Sequence, residues 1–532
     1  MADRRRFNFV HRPGFPHLGP ARLVGLGIAA IALLTTAAPP AALAQDASQR
    51  KYIDRLNDPI LAVSDDERAY QIYFQAHELL DVSDRRLAGA SMRLDPYAAT
   101  FKETIEWAGE PDQQEAVELI LKKNKRGSNA TQRKIFGLPY GTYNLADDLL
   151  VSDFAVYLRQ DMLFDRDEAY LPSYQELMAL LRAEACRRAE NADTTGACDA
   201  LLGMVRMARQ LCDRRFYDEK QLGMTLLLNS FVEVRDFMWF YRDKLSIDDF
   251  KLIALELERL GLERIDLPTG EELVGEQLIE QIYLPDNKVD PQRFPQVMAT
   301  FDSLDSPLKR FQSEAYWLQV ADKHRSRREA EVALKNAVAN WKLRWRLPLH
   351  SSLAPDSEFE QLDDLEYAAV KRPIRDLQRL FALRIPLVTQ LNGTVTAAGI
   401  HAYIVREHGK LIPGQPMNES DVPAKLAQIQ PAFVNYETTL LDVYRSLDEK
   451  LHYAVIRNTD PRFAHDGYRV KTSDGDVRLA EFWPLLYSIG PDQSDDLGKE
   501  MTHNPLPVDS DKCDIVFFPN IDFIAREAKR NR

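Results

Sequence analysis

Residues 485–518 read LLYSIGPDQSDDLGKEMTHNPLPVDSDKCDIVFF and decide how the C-terminal part of the chain is interpreted. A short apolar run, Leu485–Ile489, leads into a loop rich in Asp, and a second apolar run, Ile515–Phe518, follows the loop. Short apolar runs bounded by turn residues predict β-strands. It is the one stretch of this sequence in which carboxylates gather around a turn in a recognisable pattern. We therefore predict two strands of a small sheet joined by an acidic loop.

The segments before this loop predict the rest of the same module. Arg375–His408 has the pattern of one long helix, with Pro386 and Asn392-Gly393 as the expected positions of a kink or a loosened turn. Gly409 suits the end of that helix, because glycine adopts the left-handed C-cap conformation without steric cost. Further strands of the sheet are predicted at 451–456, 468–470 and 477–482, with Asp474-Gly475 as a hairpin turn. Residues 375–532 are thus expected to form a small α+β module, a long helix plus an antiparallel sheet.

The run Tyr487-Ser488-Ile489-Gly490-Pro491-Asp492, with Asp514-Ile515-Val516 further along, resembles the calcium loop that closes the C-terminal sheet of the major pseudopilins of type II secretion. The long helix that ends before Gly409 and Pro413 is similar to that family too. The resemblance covers roughly residues 375–520. Pseudopilins begin with the helix that inserts in the membrane and builds their filament, whereas this module follows the long region 45–374. Filament assembly is therefore not expected.

The resemblance implies a calcium site with three protein ligands: the carboxylates of Asp492 and Asp514 and the backbone carbonyl of Ile489. The loop between the two carboxylates is longer than in short members of the family, so Asp495 or Asp496 is an alternative to Asp514. Calcium accepts about six to eight hard oxygen ligands in flexible geometry, which carboxylates, carbonyls and water in a loop can supply. A bound calcium ion would neutralise the clustered carboxylates and join two strands that are distant in sequence.

Residues 45–374 are predicted to be an irregular helical-bundle domain, which makes the chain mainly α. The strongest apolar periodicity, Glu219–Leu245, is apolar on more than one face, as is typical of a helix at the centre of a bundle. No repeat of fixed period argues for a solenoid. Three capping boxes are expected to start helices, at Ser64-x-x-Glu67, Ser173-x-x-Glu176 and Thr269-x-x-Glu272.

Residues 1–44 have the pattern of a secretory signal peptide. Arginines precede the apolar run Leu23–Leu34, and Ala42-Leu43-Ala44 offers a small-x-small cleavage site. An uncleaved anchor is the alternative, but the run is shorter than the ~20 residues of a spanning helix. Arg4-Arg5 faintly resembles a twin-arginine signal, and the general secretory route is the one expected. The mature protein is predicted to be periplasmic or extracellular.

Charge and hydropathy narrow the classes of partner. The chain has 68 Lys and Arg residues against 81 Asp and Glu, and its net charge of −13 becomes −17 once residues 1–44 are removed with their five basic and one acidic residue. Such an acidic protein is not expected to bind nucleic acid. Beyond residue 44 no apolar stretch is long enough to cross a bilayer. An envelope protein is the expected partner, and the sequence leaves the oligomeric state open.

The four cysteines are Cys186, Cys198, Cys212 and Cys513. Cys186 ends one helical pattern and Cys198 begins the next, with a short turn between them. In an exported protein this arrangement predicts a Cys186–Cys198 disulfide across the base of a helical hairpin, and two buried thiols are the alternative. A zinc site is not expected, because no His or CxxC spacing accompanies these cysteines.

Two functions fit the sequence. The first is an exported, non-catalytic binding or scaffold protein of the cell envelope with a calcium-stabilised C-terminal module; the alternative is a secreted hydrolase with its active site in a groove of the helical domain. No catalytic motif selects a nucleophile or a base, so no catalytic residue is predicted. A scaffold should expose an apolar patch of more than a few hundred Å². A hydrolase should instead have a concave pocket with convergent ionisable groups of perturbed pKa.

Overall fold

The computed structural model describes residues 51–530 apart from 60–61, 63–68, 92, 124–142, 146–155, 159–161, 169, 305–306, 348, 350–354, 410–416, 445–448, 458–459, 461–467, 473–475 and 500–513. The predicted signal peptide, the capping box at Ser64, the turn Asp474-Gly475 and Cys513 lie outside the described residues. Ser48–Arg532 forms one compact unit. Residues 48–374 and 375–532 both fall in that unit, and the division of the chain into domains at 45–374 and 375–532 stays a prediction.

Most of the described chain is helical. The helices are α1 (51–59), α2 (Tyr70–Glu78), α3 (Arg85–Ser91), α4 (Phe101–Ala108), α5 (Pro111–Lys123), α6 (Tyr170–Glu190), α7 (Thr194–Leu211), α8 (Tyr217–Phe240), α9 (Ile247–Glu258), α10 (Gly270–Ile282), α11 (Arg293–Asp302), α12 (Arg310–Val320), α13 (Arg327–Arg346), α14 (Glu358–Gln361), α15 (Ala368–Lys371), α16 (Gln378–His408) and α17 (Ile521–Arg530). The predicted fold class, mainly α with a small antiparallel sheet near the C-terminus, is confirmed at this level.

In the part of the chain that the structure describes, eight short strands form three sheets. They are β1 (Tyr143–Leu145), β2 (Val156–Leu158), β3 (Arg166–Asp167), β4 (His452–Val455), β5 (Tyr468–Val470), β6 (Val477–Leu479), β7 (Pro484–Ser488) and β8 (Ile515–Phe518). The first sheet has the order β1-β2-β3, the second is antiparallel with the order β4-β7-β8, and β5 pairs only with β6.

The prediction of one C-terminal sheet is therefore wrong in one respect, since its strands divide into two sheets. The five residues of β7 are all buried, as expected of a central strand with neighbours on both edges. In β5 and β6 the central residue of each strand is exposed and its two neighbours are buried. This alternation is typical of a hairpin that covers the core with one face only.

The long helix α16 forms the centre of the fold. It packs against α8 and α9 on one side and against β7, β8 and the turn Glu437–Leu440 on the other. The helix is continuous through Pro386 and ends at Gly409, whose φ of 82° lies in the range that favours glycine. The predicted long helix and its C-cap are confirmed, and so is the central position of α8.

Gly393 shows why the sheet can approach α16 so closely. A Cβ atom at this position would lie 2.3 Å from ring atoms of Phe517 on β8, a distance that the rigid ring cannot accept. The pair Asn392-Gly393 is thus a packing contact within a continuous helix and does not loosen it. Nearby, the imidazole of His401 stacks on Phe250 of α9 at 4.9 Å between centroids and meets the ring of Phe518 edge-on.

A buried charge cluster links the two ends of the described chain to α8. Asp236 accepts hydrogen bonds from Arg93 Nε at 2.5 Å and from Asn520 Nδ2 at 2.8 Å, and Arg526 lies within 3.4 Å. The neighbouring Arg235 donates to Gln390 and Thr394 on α16. Because a buried carboxylate needs partners to offset its lost hydration, Asp236 holds these segments together.

The capping boxes are confirmed only in part. Thr269 directly precedes α10, as predicted, but its side chain makes no capping hydrogen bond. Ser173 lies inside α6, which begins at Tyr170, so that box does not start the helix. Pro172 explains the shift, because proline is tolerated in the first turn, where its missing N–H would have no partner.

None of the helices formed by the described residues combines the length and the apolar composition needed to cross a membrane.

Candidate functional site

The loop that follows β7 reverses direction twice. Gly490, Gln493, Leu497 and Gly498 have φ between 56° and 70°, so the backbone turns tightly at both places. Asp492 Oδ1 accepts a hydrogen bond from the amide of Ser494 at 3.1 Å, which closes the first turn. In the second turn, Asp495 Oδ1 accepts from the amide of Leu497 and from the hydroxyl of Tyr487, both at 2.9 Å.

Asp514 lies beneath this loop, at the entrance to β8, and is fully buried. Its Oδ2 accepts a hydrogen bond from the amide of Gly498 at 2.5 Å, while no hydrogen-bond partner reaches its Oδ1 from the described part of the chain. Burial raises the pKa of Asp514 to about 8, the Gly498 amide opposes the shift, and the charges of Asp495, Asp496 and Asp492 add to it. The loop thus encloses a buried carboxyl group whose raised pKa favours the protonated, neutral form at pH 7.

Asp442 fixes the end of β7 and was not found from the sequence. It is fully buried and accepts hydrogen bonds from Ser488 Oγ at 2.9 Å, from the amide of Ile489 at 3.1 Å and from the amide of Tyr444 at 3.2 Å. Burial raises its pKa, and these three donors oppose the shift. No local pattern marks this residue, because its main partners lie far along the chain.

The predicted calcium ligands lie in one region of the structure. Ile489 is held at the end of β7, Asp492 faces its own turn and Asp514 is buried below. Within the described ranges no three His, Cys, Asp or Glu side chains are grouped closely enough to hold a metal ion. The donors nevertheless suit calcium chemically, since all are oxygens and one buried carboxyl oxygen has no hydrogen-bond donor among the described residues. The calcium site stays a prediction.

The predicted disulfide is absent from the described structure. Cys186 is a free, buried thiol, and burial raises its pKa to about 12. Its thiol lies beside Tyr241, the residue that follows α8, and Cys186 lines a small cavity together with Arg182 and Phe237. The arrangement corresponds to the alternative of a buried thiol at Cys186.

A second region of interest is an apolar ridge on α12 and on the 3-10 turn Pro307–Lys309 that leads into it, defined by Leu308, Phe311, Ala315 and Leu318. Leu308 is 91% exposed, Phe311 83% and Leu318 56%, and Ala315 is also exposed. The opposite face of α12 is anchored by Trp317, which is buried against Phe294 and donates its indole N–H to Asp302 at 2.7 Å. The helix is therefore firmly seated while its apolar ridge faces solvent.

A cavity of about 780 Å³ opens beside the ridge, and Tyr316 of α12 forms part of its wall. Glu360 and Asp376 meet in this wall: burial raises the pKa of Asp376, and a hydrogen bond to Glu360 raises it further. Lys371 is engaged by the Asp364 carboxylate at 2.9 Å and by the Glu360 carbonyl at 3.1 Å. Among the lining residues there is no His, Ser or Cys that could serve as a base or a nucleophile.

The ridge and the cavity are the two features that distinguish a binding protein from a hydrolase. The ridge has the exposed apolar surface expected of a binding protein, and the cavity has ionisable groups but no nucleophile with its base. The chain matches no protein-family model, no curated protein and no solved structure. Its function is therefore inferred from its own geometry, and the resemblance to pseudopilins stays a prediction.

Proposed function

We propose that this chain is an exported, non-catalytic protein that binds a protein partner in the cell envelope through the ridge on α12. The observation that carries the proposal is the exposure of Leu308 and Phe311 on a helix whose other face is anchored by Trp317. Isolated exposed apolar residues are common, but several on one stripe mark an interaction surface. Export is supported by the pattern of residues 1–44.

The proposed role of the Asp514 loop is to stabilise the C-terminal sheet with bound calcium. The ion would be held by Asp492, Asp514 and the carbonyl of Ile489, with Asp495 or Asp496 as the alternative second carboxylate. Calcium would supply positive charge beside carboxylates that otherwise repel one another. What supports this role is the buried Asp514 oxygen, which has no hydrogen-bond donor in the part of the chain that the structure describes.

Site-specific photo-crosslinking tests the binding role of the ridge. p-Benzoylphenylalanine is placed at Leu318 on the ridge and, as a matched control, at Leu343 on α13, which is exposed to a similar degree. We expect a discrete adduct at Leu318 and none at Leu343. A partner identified in that adduct should, when purified, bind the wild type and fail to bind Phe311→Glu. Equal labelling at both positions would contradict the proposal.

The alternative, a secreted hydrolase, is favoured by one observation, the Glu360–Asp376 pair in the cavity wall. Two carboxylates that share a proton occur in some hydrolytic sites. Hydrolysis of a panel of peptide, ester and glycoside substrates by the wild type, and its loss in Asp376→Asn, would favour this function over the first. An inactive wild type would leave the binding role as the better account.

A further inference from the structure

We propose that the partner of the ridge is a second copy of this chain, and that the two α12 helices pair in antiparallel orientation about a two-fold axis. This inference rests on the proposed function, since it assumes that the ridge is a binding surface. The four ridge residues recur at intervals of three, four and three. On α12 itself, Phe311, Ala315 and Leu318 fall within roughly 60° of the circumference at 3.6 residues per turn, which is the narrow stripe used by paired helices. Leu308 extends the stripe into the 3-10 turn Pro307–Lys309, which leads directly into α12.

The stripe is complementary to the same stripe on a second copy that runs in the opposite direction. In a pair centred at the level of Ser313, Leu308 lies opposite Leu318 of the second copy, and Phe311 lies opposite Ala315. Each pair of opposed side chains forms one layer of the interface. The two layers that pair Phe311 with Ala315 each join one large and one small side chain, which fills the space between the helices without overcrowding. A two-fold interface requires this property, because the same patch must serve both partners.

The charges near the ridge agree with an apolar contact. None of the four ridge residues carries a charge; Gln312 and Gln319 border one side of the stripe, and Glu314, an acidic residue, borders the other. The whole chain, in contrast, has a net charge of −13, so two copies repel at long range. Added salt screens this repulsion, and the pair should therefore become tighter as salt concentration rises. A partner recruited by opposite charge would show the reverse dependence.

The exposed area of the ridge sets the expected affinity of the dimer. The ridge presents on the order of 500 Å² per copy, given that a single exposed aromatic side chain contributes about 150–250 Å². Two copies would bury on the order of 1,000 Å², which is near the lower limit for a specific interface. We therefore expect a weak dimer with a roughly micromolar Kd.

Sedimentation equilibrium of the full chain tests the pairing and its register. Phe311→Ala should weaken dimerisation about 10-fold because it leaves a gap in two layers. Ala315→Phe should weaken it to a similar extent because it places two phenylalanines in each of those layers. The double swap, Phe311→Ala with Ala315→Phe, restores one large and one small residue per layer and should return Kd to within about threefold of the wild type.

Controls separate this inference from the proposed function. Both swapped positions are exposed, so thermal melts of all three variants should match the wild type, and Leu343→Ala should leave Kd unchanged.

A wild type that stays monomeric at roughly 300 µM, or a double swap no better than the single variants, would overturn the antiparallel pair. A crosslink from Leu318 to a different protein, or to residues 1–44 of the same chain, would also overturn it, although the different protein would leave the binding role intact. The absence of any adduct at Leu318 would count against both.

Discussion

The loop around Asp514 and the ridge on α12 depart from the usual distribution of residues in opposite directions. In the loop a carboxylate is turned inward, fully buried beneath a chain that carries three more acidic residues. On the ridge a phenylalanine and two leucines are turned outward, on a helix whose opposite face is well anchored. Ordinary burial places charge outside and apolar groups inside.

The difference between these regions lies in what each lacks. Among the described residues, Asp514 has no positively charged partner, so its carboxyl group is mostly protonated at neutral pH, and no apolar surface covers the ridge. In the loop the unusually placed residue, Asp514, lies inside the fold, so substitutions there should alter the free energy of unfolding. The ridge departs from the rule outside the fold, so changing it should alter association and leave unfolding nearly unchanged.

The largest loss of stability is expected from Asp442→Ala, which removes the acceptor shared by Ser488, Ile489 and Tyr444. Buried donors left without a partner cost about 1–3 kcal/mol each, partly offset here by removal of a buried carboxylate, so we expect a loss of about 3 kcal/mol. Urea unfolding monitored by circular dichroism measures it. Asp442→Asn keeps an acceptor of the same shape and should lose less; equal losses would contradict this role for the hydrogen bonds.

Acidification should destabilise the fold through His401, a buried residue of α16 that contacts Phe518 on β8. Burial, helped by the charge of Arg242, lowers the pKa of His401 to about 3, whereas an unfolded histidine titrates near 6.5. The depressed value means that this contribution to stability is present above pH ~6.5 and is lost as pH falls towards about 3, on the order of 2 kcal/mol by pH 5. His401→Leu should flatten that part of the profile. A variant with the same pH slope as the wild type would refute this assignment.

Calcium should raise the melting temperature of the wild type relative to chelator. At a calcium concentration of about ten times Kd, the ligand adds roughly 1.4 kcal/mol to the free energy of unfolding. Asp492→Ala and Asp514→Asn should each abolish the difference, and Asp167→Ala, outside the loop, should keep it. Identical wild-type melts with calcium and with chelator would rule out the proposed site under those conditions.

The smallest effect on stability is expected from Phe311→Ser. Its side chain is 83% exposed, so the free energy of unfolding should change by less than about 0.5 kcal/mol. Association should nevertheless weaken, as measured by light scattering across a concentration series. A large loss of stability would show that Phe311 supports the fold and would remove the contrast between the two regions.

Sequence patterns predicted the elements whose signals are local. The helix ending at Gly409 and the strand positions around Leu485 and Ile515 follow from periodicity and turn residues, and the structure contains them. Asp442 could not be found in this way, because its role depends on Ser488 and Ile489, far along the chain. The state of a cysteine is equally hidden from sequence patterns, and Cys186, for which a disulfide was predicted, is a buried thiol in the described structure.

The ridge shows a different limit of sequence reading. Leu308, Phe311, Ala315 and Leu318 have the spacing of a core-facing stripe, and Trp317 with Val320 forms an apolar face on the other side of the same helix. Sequence alone cannot decide which of two apolar faces is covered. Only the packing of Trp317 against α11 settles it in the structure.

The cluster at Asp236 has a consequence for the order in which the chain is completed. Arg93 is made before Asp236, but Asn520 and Arg526 follow Asp236 by 284 and 290 residues. Until these two residues are made, the buried carboxylate on α8 lacks two of its partners. A chain still being synthesised therefore lacks these contacts, and truncation before Asn520 would leave the centre of the molecule in that unfinished condition.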